Sequence, residues 1–115
     1  MGLMTPSQLQ DALNSEIALR NWVSRNLPIE NSFAAFDLLL ILGSQHYSDR
    51  PLQTVKQLFG SLPGYSYIGI RTHYLRFLEL NLIELTVEAN DKRVKYVKPT
   101  QKLLDLLTKY LAQKY

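Results

Sequence analysis

The sequence predicts a mainly α-helical protein with one small β-hairpin, arranged α-α-β-α-α-β-β-α. Three observations predict it. Apolar residues recur at helical spacing in several separate stretches. One stretch, residues 83–96, alternates apolar and polar instead. Between two short helical stretches lies a turn punctuated by Gly60, Pro63 and Gly64.

The elements follow in order. Thr5-Pro6 has the form of a helix start, with Thr as the cap and Pro at the first helical position. Leu9, Leu13, Ile17, Trp22, Val23 and Leu27 then mark an amphipathic helix over roughly 6–26, ended by Pro28. Its stripe packs either on its own core or on a partner chain. Asn31 or Ser32 caps a second helix, FAAFDLLLILG, apolar nearly all round and therefore central. Gly43 stands near its end, and His46 falls in the polar loop SQHYSDRP as a solvated side chain. Leu52 suits a short strand, and Thr54 caps a short third helix with Val55, Leu58 and Phe59 inward. A fourth helix runs through YIGIRTHYLRFLELN, with Asn81 as its left-handed terminator.

Plotted at about 100° per residue, the fourth helix is expected to turn Ile68, Ile70, Tyr74, Leu75, Phe77 and Leu78 to the core. Gly69, Thr72, His73, Arg76 and Glu79 take the other side, and Arg71 falls awkwardly among the apolar residues. Two strands come next. A two-residue loop at Asn90-Asp91 pairs Val87 with Val94 and Leu85 with Tyr96 on the inner face. The same register sets Glu88 against Arg93 and Thr86 against Lys95 on the outer face. Thr100 caps the last helix, whose stripe is Leu103, Leu104, Leu107, Tyr110 and Leu111.

The 115 residues suit one domain, with terminal helices able to dimerise. The net charge is +3, but residues 61–115 hold nine of the thirteen Lys and Arg. A localised excess points to a polyanionic partner. The absence of cysteine excludes disulfides and thiolate chemistry. MGLMTPSQLQ lacks the basic start and apolar core of a signal peptide. The longest apolar run, Leu38–Leu42, falls far short of a membrane span. A cytoplasmic protein with no membrane association is expected. The two histidines have no metal-ligand spacing, and neither a phosphate-binding glycine loop nor a nucleophile elbow is present. No enzyme activity, metal or cofactor is therefore expected.

Helix, helix, short strand, helix, helix, hairpin, helix is the order of a winged helix, and two short helices joined by a tight turn make its helix-turn-helix. At THYLRFLELNLIEL the sequence resembles the MarR-type transcriptional regulators, whose recognition helix ends Leu-x-x-Leu-Glu-x-x-Gly-Leu-Ile. Leu75, Leu78, Glu79, Leu82 and Ile83 stand in those places, and Asn81 stands where Gly is usual. Asp91, Lys92, Arg93 and Thr100 match the family's wing, Asp-x-Arg followed by a strand and a helix-starting threonine. The resemblance covers roughly residues 33–103. It implies that Arg93 reaches into a minor groove, and that Asp91 orients a nearby arginine, Arg71 or Arg76.

The expected function is sequence-specific binding of double-stranded DNA by a small transcriptional regulator, nucleoid-associated when bound. On the recognition helix Arg71, Thr72, His73 and Arg76 face the groove, with Tyr67 at its start and Lys56 on the preceding helix reaching phosphates. On the wing Lys92, Arg93 and Lys95 reach the minor groove or the backbone. A homodimer through the terminal helices would favour a pseudo-palindromic site. Tyr65 either touches phosphate or fills the turn. Trp22 and Tyr110 line either a pocket or plain core. The alternative function is a winged-helix module that docks an acidic protein on the same surface, and the alternative for the basic strand is a solvated edge protected by lysines.

Overall fold

The structure, a computed structural model, describes residues 2–115. Among them five helices frame one antiparallel hairpin. The helices are α1 (Pro6–Asn26), α2 (Phe33–His46), α3 (Val55–Gly60), α4 (Tyr67–Glu79) and α5 (Gln101–Lys114). The strands are β1 (Ile83–Val87) and β2 (Lys95–Pro99). The short strand expected before α3 reduces to a single bridge, Thr54 to Tyr96, supported by Val97 N–H donating to the Gln53 carbonyl at 2.9 Å. The mainly α, winged helix-turn-helix arrangement is the one the sequence predicts.

Each helix starts where its cap dictates. Thr5 and Thr54 form reciprocal capping boxes with Gln8 and Gln57, and the Ser32, Ser66 and Thr100 side chains cap α2, α4 and α5. The Ser32 cap is possible because Glu30 and Asn31 turn the chain with φ of 51° and 59° after Pro28. α2 does not stop at Gly43; it continues to His46, so that histidine lies in a last helical turn instead of a loop. Gly43 is needed there for packing: a Cβ would overlap Leu107 Cδ1 on α5.

The core forms around α2. Leu38 and Leu39 are fully buried, together with Leu58 of α3, Phe77 of α4, Leu103 of α5 and Leu82 in the α4–β1 turn. α1 joins this core only in its C-terminal half, through buried Val23 and half-buried Leu19 and Trp22, with Leu27 just beyond it. The stripe at Leu9, Leu13 and Ile17 is exposed, so its own-core packing fails for that half of the helix.

The hairpin register differs from the expectation by one residue. Ile83 pairs with Pro99, Leu85 with Val97, Thr86 with Tyr96 and Val87 with Lys95. The cause is the loop. Asp91 accepts from Val94 N–H through its carbonyl at 3.0 Å and from Arg93 N–H through its carboxylate at 3.0 Å. That local turn spans more residues than a two-residue loop, and the ladder resumes with Glu88 N–H donating to the Val94 carbonyl at 2.9 Å. A one-residue slip exchanges the two faces of a strand. Val97 and Pro99 are therefore the buried residues of β2, and Tyr96 turns outward to donate its hydroxyl to Glu88 at 2.8 Å. The outer charge pair is Glu84 opposite Lys98, not Glu88 opposite Arg93.

Candidate nucleic-acid interface

α4 is positioned at both ends. Its N-terminus follows the α3–α4 turn, where Tyr65 donates its hydroxyl to Asp37 on α2. That bond, with burial and the aspartate charge behind it, raises the Tyr65 pKa, so Tyr65 anchors the turn. Its C-terminus closes in a Schellman motif: Leu82 N–H donates to the Phe77 carbonyl and Asn81 N–H to the Leu78 carbonyl, with Asn81 at φ 58°. Thr100 Oγ1 donates to the Asn81 carbonyl at 2.6 Å and Lys102 Nζ to the Leu80 carbonyl at 2.9 Å, which stitches this corner to α5.

Between these fixed ends Ile70, Tyr74 and Phe77 face the core. Ile68 and Leu75 do not; they are 77% and 39% exposed. Seven residues is about 20° short of two full turns, so these two side chains share one line, roughly opposite Phe77. That placement removes the difficulty with Arg71, which is exposed beside them instead of trapped in a core face. Thr72 is also exposed, and its hydroxyl donates to the Ile68 carbonyl at 2.9 Å.

The nine residues singled out in the sequence fall into three groups. Lys56, Tyr67, Arg93 and Lys95 line one cleft of about 950 Å³ between α3, the start of α4 and the wing. Its apolar wall is Val55, Phe59, Tyr74 and Val94, with the Phe59 ring centroid 5.2 Å from that of Tyr67 and 5.4 Å from that of Tyr74. Burial raises the Tyr74 pKa. Arg71 and Thr72 lie on the exposed line of α4, and Lys92 is exposed in the wing loop. His73 and Arg76 stand apart. His73 is half-buried, and Arg76 binds Glu30 of the α1–α2 turn at 3.1 Å, an exposed ion pair that contributes at most about 1 kcal/mol.

The wing arginine is held by its own loop. Arg93 Nε and Nη2 donate to the two Asp91 carboxylate oxygens at 3.1 and 3.2 Å. The Asp91 carboxyl is held below the usual aspartate range by this side-chain pairing and by the Arg93 backbone N–H. The aspartate thus orients Arg93, not Arg71 or Arg76 as the resemblance implies. Arg93 remains 91% exposed, extended from the wing with one face clamped.

Sequence reasoning placed Ile68 and Leu75 in the core and so missed them as interface candidates. Their signal was angular: both lie far outside the arc set by Ile70, Tyr74 and Phe77. A second cavity, about 400 Å³, opens between α1, α2 and α5 and includes Tyr110 but not Trp22 among its walls. Tyr110 is buried against Phe36, ring centroids 5.3 Å apart and edge-on.

No family model and no curated protein sequence matches the chain. Solved structures do. A mutant of S. aureus MepR bound to an oligodeoxyribonucleotide aligns over 96% of this chain and 76% of its own, with a TM-score of 0.67 and 16% identity. A transcriptional regulator from Thermotoga maritima aligns over 90% and 67%, with a TM-score of 0.63 and 18% identity. A putative MarR-like transcription regulator from Bacillus cereus aligns over 92% and 73%, with a TM-score of 0.60 and 13% identity. At these identities the likeness is one of fold, and the fold of this chain is the MarR-like winged helix.

Proposed function

We propose that this protein binds double-stranded DNA sequence-specifically as a small transcriptional regulator, by recognition and not by chemistry. The observation that carries the reading is the convergence of Lys56, Arg93 and Lys95 on one cleft beside the exposed line of α4. A duplex offers two features at that spacing: a major groove that admits a helix, and flanking phosphates. In this reading α4 enters the major groove, Arg71 and Thr72 reach base edges, and Tyr67 and Lys56 contact phosphate. The wing residues Lys92, Arg93 and Lys95 lie on the adjacent minor groove or backbone. Arg76, exposed beside Thr72 and held only by a weak surface pair to Glu30, can exchange that pair for a base edge or phosphate, whereas half-buried His73 is peripheral. The oligodeoxyribonucleotide bound to the MepR mutant supports a nucleic-acid partner for this fold.

A homodimer through α1 and α5 would double the site and match a pseudo-palindromic operator. The exposed Leu9, Leu13 and Ile17, with Leu111 on α5, are the apolar surface for it. No helix among the described residues is long and apolar enough to cross a membrane. The site of action would be the cytoplasm, on the nucleoid.

A second reading has one observation in its favour: exposed Ile68 and Leu75 would also suit a protein partner with an acidic rim. Fluorescence anisotropy with a generic duplex at low and near-physiological salt separates the two. DNA binding predicts affinity that falls steeply with salt, and falls further in a Lys92→Ala/Arg93→Ala/Lys95→Ala variant. No binding at low salt would reject DNA as the partner and leave the acidic protein.

A further inference from the structure

We infer that α4 reads thymine through its 5-methyl group, with Ile68, Thr72 and Leu75 making the contact. The inference rests on the reading that this face of α4 enters a major groove. It starts from an anomaly: two large apolar residues, Ile68 and Leu75, stand on the solvent side of the helix among exposed Arg71, Thr72, Arg76 and Glu79. Ile68 is 77% exposed although isoleucine is among the most often buried residue types. Leu75 lies two turns further along the same line, with Thr72 between them.

Thr72 completes the stripe because its polar group is already committed. Its hydroxyl proton goes to the Ile68 carbonyl at 2.9 Å, so Thr72 has no donor left to offer a base; its methyl and the acceptor side of its oxygen remain. The stripe is therefore three aliphatic surfaces in a row, in place of the polar reader that Thr72 would otherwise supply.

What surrounds the stripe selects its occupant. Arg71 lies beside it on α4, and Lys56, Arg93 and Lys95 line the neighbouring cleft. Two carboxylates offset part of this charge, Glu79 at the end of the stripe and Asp91 on Arg93, and the balance stays positive. A net cationic surround is complementary to a polyanion that presents an apolar feature at its centre. In the major groove of DNA, guanine, cytosine and adenine edges carry only donors and acceptors, and thymine alone adds a methyl. Set against a guanine–cytosine pair, an aliphatic stripe would desolvate donors and acceptors without pairing them. Against thymine it would bury a methyl, and each buried methyl is worth about fourfold in affinity. The same position on the pyrimidine ring is methylated in 5-methylcytosine and bare in uracil.

The test compares alternating duplexes of adenine–thymine and adenine–uracil, read by fluorescence anisotropy at low salt and at near-physiological salt. The wild-type chain is expected to bind the thymine duplex at least about fourfold more tightly, more if several methyls are buried. An Ile68→Gln/Thr72→Ser/Leu75→Gln variant is expected to bind the two duplexes equally. All three substitutions fall on exposed positions, so a nearly unchanged unfolding midpoint is expected as well. Salt-dependent binding with equal wild-type affinities would overturn methyl recognition while leaving DNA binding intact. Discrimination that persists in the variant would overturn it too, because another element would be reading the methyl. Failure to bind either duplex at low salt would overturn both the inference and the reading beneath it.

Discussion

Asn81 shows how much one residue can decide. It holds φ at 58°, the left-handed region that lets the Schellman bonds close α4. Its carbonyl also accepts the Thr100 hydroxyl, so the end of α4 and the start of α5 depend on the same peptide. A residue with a Cβ and no short polar side chain pays about 1–2 kcal/mol there. Asn81→Ala is therefore expected to lower the unfolding free energy measured in urea by about that amount, and Asn81→Gly to leave it unchanged or raise it. Asp91 decides the wing in a different way. Its pKa is lowered because Arg93 binds the ionised form through side chain and backbone. The sign follows: the clamp is complete above the ordinary aspartate range and is lost as pH falls through the depressed value. The Arg93 amide resonance is expected to shift in one step below the usual aspartate range, and Asp91→Asn to abolish that step. A step at the ordinary aspartate value would contradict the clamp.

Elements were legible where a local rule decides them, and illegible where a tertiary partner does. Thr5, Thr54 and Thr100 fix helix starts by capping their own first turns, and a sequence displays that directly. The wing register escaped because the strand was read as ending before Pro99, and because Asp91 builds a longer loop from its own carboxylate. The outward line of α4 escaped for another reason: gathering every apolar residue into one broad face stretched that face too far round the helix, and on the same plot Ile68 and Leu75 lie roughly opposite Phe77. Phe77 itself is fully buried, and Phe77→Ala is expected to cost about 3–5 kcal/mol in unfolding free energy. For the wing, each lysine or arginine on a phosphate contributes about one unit to the salt slope. The triple alanine variant at Lys92, Arg93 and Lys95 should thus flatten the log–log plot of affinity against salt by about two to three units. An unchanged slope would place the phosphate contacts elsewhere.

At the scale of the whole molecule the chain is elongated, 60 × 30 × 27 Å, and α1 has Val23 as its one buried residue. A helix exposing Leu9, Leu13 and Ile17 at four-residue spacing lacks the partner that would cover them. Light scattering after gel filtration is expected to give twice the chain mass, and Leu13→Asp/Ile17→Asp to give a monomer with weaker DNA binding. The central claim, that the α4 face and the wing together hold DNA, is tested most directly by chemical-shift mapping of the isotope-labelled protein titrated with a short duplex. The predicted result is a contiguous set of perturbed amides at Ile68, Arg71, Thr72 and Leu75 and at residues 91–95, with Leu9, Leu13 and Ile17 unmoved. Perturbations confined to α1 and α5, or scattered without an edge at the α3–wing cleft, would contradict it.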